Sequence, residues 1–223
     1  PRRFNVPEGV RGRQRRQIIG NQLYDLMVEM VFITSDLRQT LFAALLGAEK
    51  LFGMRRGILE DVERAPLSYA RLLASSLVLG RRFKQFTAER ENVGVLLPTS
   101  IGAVAVFFGL QAADRVPAML NFSAGLKNIQ SACATARVKT ILTSHRFIAL
   151  ARLQNVIDEL SQNHRVVYLE DLKASLGQSD KLFGLAARVF PGICYRLLAG
   201  RPNPDEACVI LFTSGSEGVP KGV

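Results

Sequence analysis

The sequence predicts an α/β fold: an N-terminal helical segment, then part of a doubly wound, mostly parallel sheet. From Val93 to Phe212, short apolar runs alternate with segments of helical periodicity. Alternation of this kind is typical of βαβ units, whose strands are parallel and covered by helices on both faces. Hydrophobic residues make up 48% of the 223 residues, which is enough for a core of this type.

Helices are predicted ahead of the alternating region. Residues 1–17 carry no periodicity and are expected to be irregular, whereas apolar residues recur at helical spacing from Ile18 to Ile33. Ser35-Asp36 offers an N-cap for a second helix that ends near Gly53. A further helix opens behind Pro66. We place a domain boundary after residue 56, with a basic segment and helical hairpin in 1–56 and the sheet domain in 57–223.

The strands and helices of the sheet domain follow from the pattern of apolar runs. The predicted strands are Val93–Leu97, Val116–Leu120, Thr140–Thr143, Val166–Leu169 and Val209–Phe212. The predicted helices are Ile101–Ala113, Asn128–Arg137, Phe147–Leu160 and Leu182–Leu198, the last interrupted at Pro191-Gly192.

Half of the net charge of +10 lies near the N-terminus, where residues 1–16 hold six arginines and one glutamate. The cluster Arg11, Arg13, Arg15 and Arg16 suits an anionic membrane surface or an acidic partner, and a solvated linker is the alternative. Nucleic acid is not expected as a partner, because no aromatic residues are interleaved with these arginines.

Cysteines and apolar runs point to a cytoplasmic location. Cys133, Cys194 and Cys208 lie far apart in apolar stretches, which predicts buried, reduced thiols and no metal site. The apolar run from Ile101 to Ala113 is too short to cross a bilayer. Residues 1–17 lack the apolar segment of a secretory leader.

The segment Thr213 to Val223 combines hydroxyls, glycines and a lysine behind the apolar run Val209–Phe212. Glycines let backbone N–H groups turn toward an anion, hydroxyls donate hydrogen bonds, and lysine supplies charge, so the segment predicts a polyphosphate loop. It is not a Walker A loop, because Val219-Pro220 separates Gly218 from Lys221. Proline favours an extended backbone at the residue before it, so we expect a strand–loop–strand arrangement.

This segment resembles the phosphate-binding signature of the adenylate-forming (AMP-binding) superfamily. The resemblance implies the fold of the large N-terminal domain of that superfamily, and it implies that the loop binds ATP with Mg²⁺. The residues that it assigns to ATP binding are Thr213, Ser214, Gly215, Ser216, Glu217, Gly218 and Lys221. Glu217 stands where the common form of the signature has threonine, and its role is left open between orienting a metal-bound water and facing solvent.

The variant Ser216-Glu217-Gly218, with the run Gly57 to Tyr69 and the run Pro7 to Arg16, is similar to bacterial bifunctional enzymes. In those enzymes a glycerolipid acyltransferase domain precedes an acyl-[acyl-carrier-protein] synthetase domain. An acyltransferase of this type needs a His-x-x-x-x-Asp pair. The fifth residue after His145 is Leu150 and the fifth after His164 is Leu169, so neither histidine fits.

The resemblance implies a ligase, in which fatty acid and ATP give acyl-AMP, followed by transfer of the acyl group to a carrier-protein thiol. The implied partners are a fatty acid, acyl carrier protein and, through an upstream domain, a lysophospholipid, with the enzyme at the cytoplasmic face of the bacterial inner membrane. A stand-alone acyl-CoA synthetase and a membrane-binding module with a decayed synthetase remnant are the alternatives. No catalytic residue is assigned within this chain, and we expect it to be inactive alone.

Overall fold

The computed structural model describes residues 6–7, 9–34, 38–61, 66–200, 202–214 and 220–222, with the backbone alone at 32–34, 214, 220 and 221. The helices are α1 (Gly12–Thr34), α2 (Leu41–Phe52), α3 (Tyr69–Phe83), α4 (Ile101–Ala112), α5 (Leu126–Thr135), α6 (His145–Ala151), α7 (Gln154–Ser161), α8 (Leu169–Ala174), α9 (Gln178–Val189) and α10 (Pro191–Ala199). The strands are β1 (Gly57–Leu59), β2 (Leu67–Ser68), β3 (Asn92–Val95), β4 (Val116–Met119), β5 (Thr140–Thr143), β6 (Arg165–Tyr168), β7 (Phe212–Ser214) and β8 (Pro220–Gly222).

The central sheet is parallel and has the strand order β4-β3-β5-β6. Its register aligns Val93 of β3 with Pro117 of β4 and with Thr140 of β5. Strands β1 and β2 form a separate antiparallel pair, as do β7 and β8. The predicted parallel α/β architecture is confirmed.

Helices cover both faces of the sheet. Val93 and Val95 of β3 belong to a buried cluster that includes residues of α3 and α4. In β5, Ile141 packs with residues of α5, α6 and α7, whereas its neighbour Leu142 packs with the α3 and α4 cluster. Because successive strand residues point to opposite faces, the two clusters lie on opposite sides of the sheet, as in a doubly wound fold.

A further helical layer lies on α3 and α4. It consists of α2, α9 and α10, whose buried residues form one cluster with Leu73, Leu77 and Ala112. The ring of Phe42 in α2 stacks on Tyr195 in α10 with centroids 4.6 Å apart. The hydroxyls of Thr40 and Tyr195 lie 2.9 Å apart, so a hydrogen bond joins α10 to the start of α2.

The chain divides into two compact units, residues 1–39 and 40–223. The first contains α1, which begins at Gly12 and therefore includes residues that the sequence analysis expected to be irregular. Arginine and glutamine are good helix formers, which explains the earlier start. Arg13, Arg15 and Arg16 lie exposed in the first turns of α1, and Arg11 directly precedes it.

Helix α2 belongs to the second unit. Its N-cap is Thr40, whose hydroxyl accepts a hydrogen bond from the N–H of Ala43 at 3.2 Å. The predicted cap, Ser35-Asp36, lies outside the described residues. The domain boundary that we placed after residue 56 stays a prediction.

Candidate functional site

The segment before the predicted phosphate loop joins the sheet at the edge formed by β4. The N–H of Ile210 donates to the carbonyl of Pro117, and the N–H of Met119 donates to the carbonyl of Ile210, both at 2.9 Å. Ile210 thereby pairs with Ala118 in the parallel direction. The chain beyond Ile210 emerges at the carboxyl edge of the sheet, where doubly wound folds bind their ligands.

The loop is flanked by an antiparallel pair, as the sequence predicted. Strand β7 pairs with β8 in a register that sets Thr213 opposite Lys221 and Ser214 opposite Pro220. The Thr213 side chain is exposed. The predicted phosphate-binding residues Gly215, Ser216, Glu217 and Gly218 lie outside the described residues, as do the side chains of Ser214 and Lys221. The assignment of these residues to ATP stays a prediction.

The base of this hairpin packs on the core. Ile210 and Phe212 contact the buried cluster on the α5 side of the sheet. A Cβ atom built at Gly222 would lie 3.4 Å from Cγ2 of Ile210 and 3.8 Å from Cγ2 of Thr135 in α5. The hairpin is therefore held at its base by α5 and by the strand before it.

Two polar side chains that sequence reasoning missed fix the segment before the loop. The buried amide of Gln111 in α4 donates to the carbonyl of Cys208. The guanidinium of Arg90 donates to the carbonyl of Ala207 at 2.7 Å and forms ion pairs with Asp114 and Glu206 at 3.1 and 2.8 Å. Gln111 stands out in the sequence as an amide within an apolar helix, but the sequence does not indicate its partner.

A cavity of about 440 Å³ lies at the carboxyl end of β3. It is lined by Leu59, Glu60, Asp61, Thr99, Ser100, Ile101 and Val104. The Ser100 hydroxyl caps α4 by accepting from the N–H of Ala103 at 3.2 Å. Two of the lining side chains, Glu60 and Asp61, are carboxylates.

One carboxylate accepts several hydrogen bonds next to the carboxyl ends of β5 and β6. Glu170 accepts hydrogen bonds from the Ser144 hydroxyl at 2.7 Å and from the N–H groups of His145 and Arg146 at 3.0 and 3.2 Å. Partial burial raises the pKa of Glu170, but these hydrogen bonds outweigh burial and lower the pKa to about 2. Glu170 is therefore a charged cap on the first turn of α6.

Both histidines have structural partners. The ring of His145 stacks on Tyr168 with centroids 3.6 Å apart, and its Nε2 lies 3.2 Å from both carboxylate oxygens of Asp171. Nδ1 of His164 lies 3.0 Å from the carbonyl of Val138.

The two buried thiols, Cys133 and Cys194, are unsuited to nucleophilic chemistry. Cys133 and Cys194 are buried, as predicted, whereas Cys208 is half-buried. Burial raises the pKa of Cys133 to about 11 and also raises that of Cys194, so both stay protonated near neutral pH.

In the part of the chain that the structure describes, no three histidine, cysteine, aspartate or glutamate side chains are grouped as metal ligands. Nor is any helix there both long enough and apolar enough to cross a membrane.

Comparison with known proteins identifies the family of this chain. A sequence model of the family described as "AMP-binding enzyme" matches residues 53–223, more than three quarters of the chain. The chain belongs to the AMP-binding enzyme family. Its fold is that of the N-terminal domain of adenylate-forming enzymes, which are ligases that generally use ATP and Mg²⁺.

The known proteins that resemble this AMP-binding chain have names that describe different kinds of protein. It is 25% identical over 166 residues to the hybrid PKS-NRPS synthetase ucsA of Acremonium sp, covering 74% of this chain and 4% of that protein. It is also similar to the structure of VinN in complex with 3-methylaspartate, at 25% identity and a TM-score of 0.60, covering 84% of this chain and 48% of VinN. A fatty acyl CoA synthetase of Mycobacterium tuberculosis shares the fold at 16% identity and a TM-score of 0.53, covering 82% of this chain and 34% of that one. The chain thus spans less than half the length of these relatives.

Proposed function

We propose that this chain is the ATP-binding part of a fatty acyl-[acyl-carrier-protein] synthetase, joined in the whole protein to an acyltransferase that reacylates lysophospholipids. The observation that carries the ATP site is the β7–β8 register, which sets Thr213 opposite Lys221 at the carboxyl edge of the sheet. Directly opposite residues of an antiparallel pair have Cβ atoms about 5 Å apart. A hydroxyl residue and a lysine at this distance suit a triphosphate.

The donor set of the loop fits ATP. Thr213, Ser214 and Ser216 would donate hydroxyl hydrogen bonds, and Lys221 would place positive charge near the β- and γ-phosphates. Gly215 and Gly218 leave room for the backbone to approach the phosphates. When bound, Mg²⁺ supplies charge neutralisation on the phosphates. The fatty carboxylate attacks the α-phosphorus, the bond to the β-phosphate oxygen breaks, and acyl-AMP and pyrophosphate form.

The choice of a fatty acid and of carrier protein rests on sequence resemblance. The Ser216-Glu217-Gly218 variant and the run Pro7 to Arg16 are similar to bacterial bifunctional enzymes. In the proposed enzyme, Arg11, Arg13, Arg15 and Arg16 bind an anionic membrane surface, since four exposed cations on one short segment attract acidic headgroups.

Lys221→Ala in the whole enzyme tests the phosphate site. The ammonium stabilises charge that develops on the departing pyrophosphate, so its removal should lower ATP–pyrophosphate exchange by about two orders of magnitude. Acyl transfer from preformed acyl-AMP should be much less affected, because pyrophosphate has already left. An unchanged exchange rate would show that the loop does not hold phosphate.

Glu217→Thr is the matched control within the same loop. It introduces the common residue of the superfamily and should leave the exchange rate nearly unchanged if Glu217 faces solvent. A large loss would assign Glu217 to metal or water positioning.

The acceptor and the substrate are tested separately from the phosphate site. The rate of ATP–pyrophosphate exchange should depend on long-chain fatty acids and not on aspartate or other amino acids. The acyl group should be transferred to acyl carrier protein in preference to coenzyme A. Exchange that requires an amino acid would replace the acyl proposal with an amino-acid adenylation activity.

A further inference from the structure

The outer sides of α9 and α10 expose large apolar side chains at helical spacing. Positions three and four apart lie on one side of a helix. Six side chains, each between 57% and 78% exposed, lie on these outer sides and define the α9–α10 surface: Leu182, Leu185 and Val189 on α9, Phe190 at the junction of the two helices, and Ile193 and Leu197 on α10.

The opposite sides of the same helices are buried and hold them rigidly. Ala187 of α9 and Leu198 of α10 belong to the cluster with α3 and α4. The Tyr195 ring stacks on Phe42, and Nζ of Lys84 donates to the carbonyl of Leu198 at 2.8 Å. The two helices therefore have apolar residues on both sides, and the rest of the described chain covers one of these two sides.

The exposed charges on these helices are all positive. Gln178–Ala199, which the structure describes in full, contains one carboxylate, Asp180. That carboxylate is buried and lies 3.9 and 3.8 Å from the guanidinium groups of Arg81 and Arg82. Lys181, Arg188 and Arg196 are exposed and accompany the apolar side chains. The surface is therefore both apolar and cationic.

We propose that the α9–α10 surface docks on an anionic lipid bilayer. Its cations would meet acidic headgroups while the six apolar side chains enter the boundary of the acyl chains, as in an interfacial amphipathic helix. With 12 and 9 residues, α9 and α10 are too short to span a bilayer and would lie in its plane. A second copy of the chain is a poorer occupant, since two cationic surfaces repel each other.

The absence of tryptophan from the sequence allows a direct test. Phe190→Trp places a unique fluorophore in the surface of the 223-residue chain, and Leu197→Trp is a second probe should the first variant fold poorly. Leu150→Trp, at a 74% exposed position on α6, is the matched control. Vesicle binding alone could come from Arg11 to Arg16, so depth-dependent quenching by brominated phosphatidylglycerol is measured instead.

The expected result is a blue shift and strong quenching for Phe190→Trp and Leu197→Trp, with little quenching for Leu150→Trp. Replacing Arg188 and Arg196 by glutamine in the Phe190→Trp background should weaken binding about fivefold per charge. Lys127→Gln on the exposed side of α5 is the charge control.

Four results would overturn the proposal. They are absent quenching in anionic vesicles, equal quenching of the α6 probe, equal affinity for pure phosphatidylcholine vesicles, and a lipid-independent blue shift. A lipid-independent shift with a doubled mass would identify a second copy as the occupant. A shift caused by an acidic protein but not by vesicles would identify a protein partner.

Discussion

At the scale of single residues, buried polar groups hold the segment before the phosphate loop in register with the sheet. Gln111 is buried and donates to the carbonyl of Cys208, while Ile210 pairs with Pro117 and Met119. A carbonyl that loses its buried donor retains the cost of desolvation. The position of the loop therefore depends on a side chain in α4, 97 residues before Cys208 in the sequence.

Gln111→Leu should lower the free energy of unfolding by about 1–3 kcal/mol, because the Cys208 carbonyl is left without its donor. The same change should speed hydrogen exchange at the Ile210 N–H. Denaturant unfolding measures the free energy of unfolding, and native-state hydrogen exchange measures the rate at the Ile210 N–H. Gln162→Leu, an exposed glutamine after α7, is the control. Equal effects from the two variants would contradict this role for Gln111.

Glu170 makes the stability of the α6 terminus depend on pH. Hydrogen bonds lower its pKa from 4.5 to about 2, so its charged form stabilises the folded state above pH 4.5. This contribution is lost as the pH falls from 4.5 towards 2. Glu170→Ala should cost about 1 kcal/mol near neutral pH, which is a typical value for a lost cap.

The measurement is the difference in melting temperature between Glu170→Ala and the parent chain as a function of pH. The difference should shrink through the acidic window. Glu159→Ala removes an exposed carboxylate of α7 and controls for the change in total charge. A Glu170→Ala difference that stays constant with pH would show that the carboxylate does not act as a charged cap.

At the scale of elements, α3 and α4 approach each other closely at a pair of glycines. A Cβ atom at Gly80 would lie 2.6 Å from the carbonyl oxygen of Gly109. Gly80→Ala should therefore destabilise the fold by roughly 1–3 kcal/mol, although alanine favours a helix.

Gly47→Ala is the matched control in α2, since a Cβ atom there meets nothing within 4 Å. It should stabilise the fold by roughly 0.5–1 kcal/mol through helix propensity alone. Thermal unfolding of both variants checks the pair. If Gly80→Ala stabilised the fold, α3 and α4 would be able to move apart without a loss of stability.

The alternation of apolar strands and helices predicted the parallel sheet, but not every element within it. The helix predicted over Phe147–Leu160 is divided into α6 and α7, because Arg152 adopts a left-handed conformation with φ 55°. Neither glycine nor proline marks that break in the sequence. Helix α8 has six residues, too few for a periodic signal.

The sequence predicted those features of the candidate site that depend directly on residue type. The strand–loop–strand arrangement followed from Pro220 and is confirmed by β7 and β8. The predicted strand Val209–Phe212 is instead divided between two pairings, with Ile210 bonded to β4 and Phe212 in β7. The roles of Gln111 and Arg90 could not be predicted, because their partners are backbone carbonyls about 100 residues away.

At the scale of the whole molecule, the division into compact units predicts where the chain can be shortened. The second unit begins at Thr40 and includes α2, whose Phe42 is fully buried against Tyr195. A chain that begins at Gln39 keeps this stack and the hydrogen bond between Thr40 and Tyr195. A chain that begins at Gly57, the boundary we predicted from sequence, loses both.

We therefore expect removal of residues 1–38 to leave the melting temperature of the sheet unit nearly unchanged. Removal of residues 1–56 should lower its stability by about 3–5 kcal/mol or more, because burial of an aromatic side chain contributes about that amount and Leu46 is lost as well. Phe42→Ala in the longer chain reproduces part of that loss without truncation and separates the packing of α2 from chain length. If both truncations melt at the same temperature, α2 is dispensable and the boundary after residue 56 is the better description.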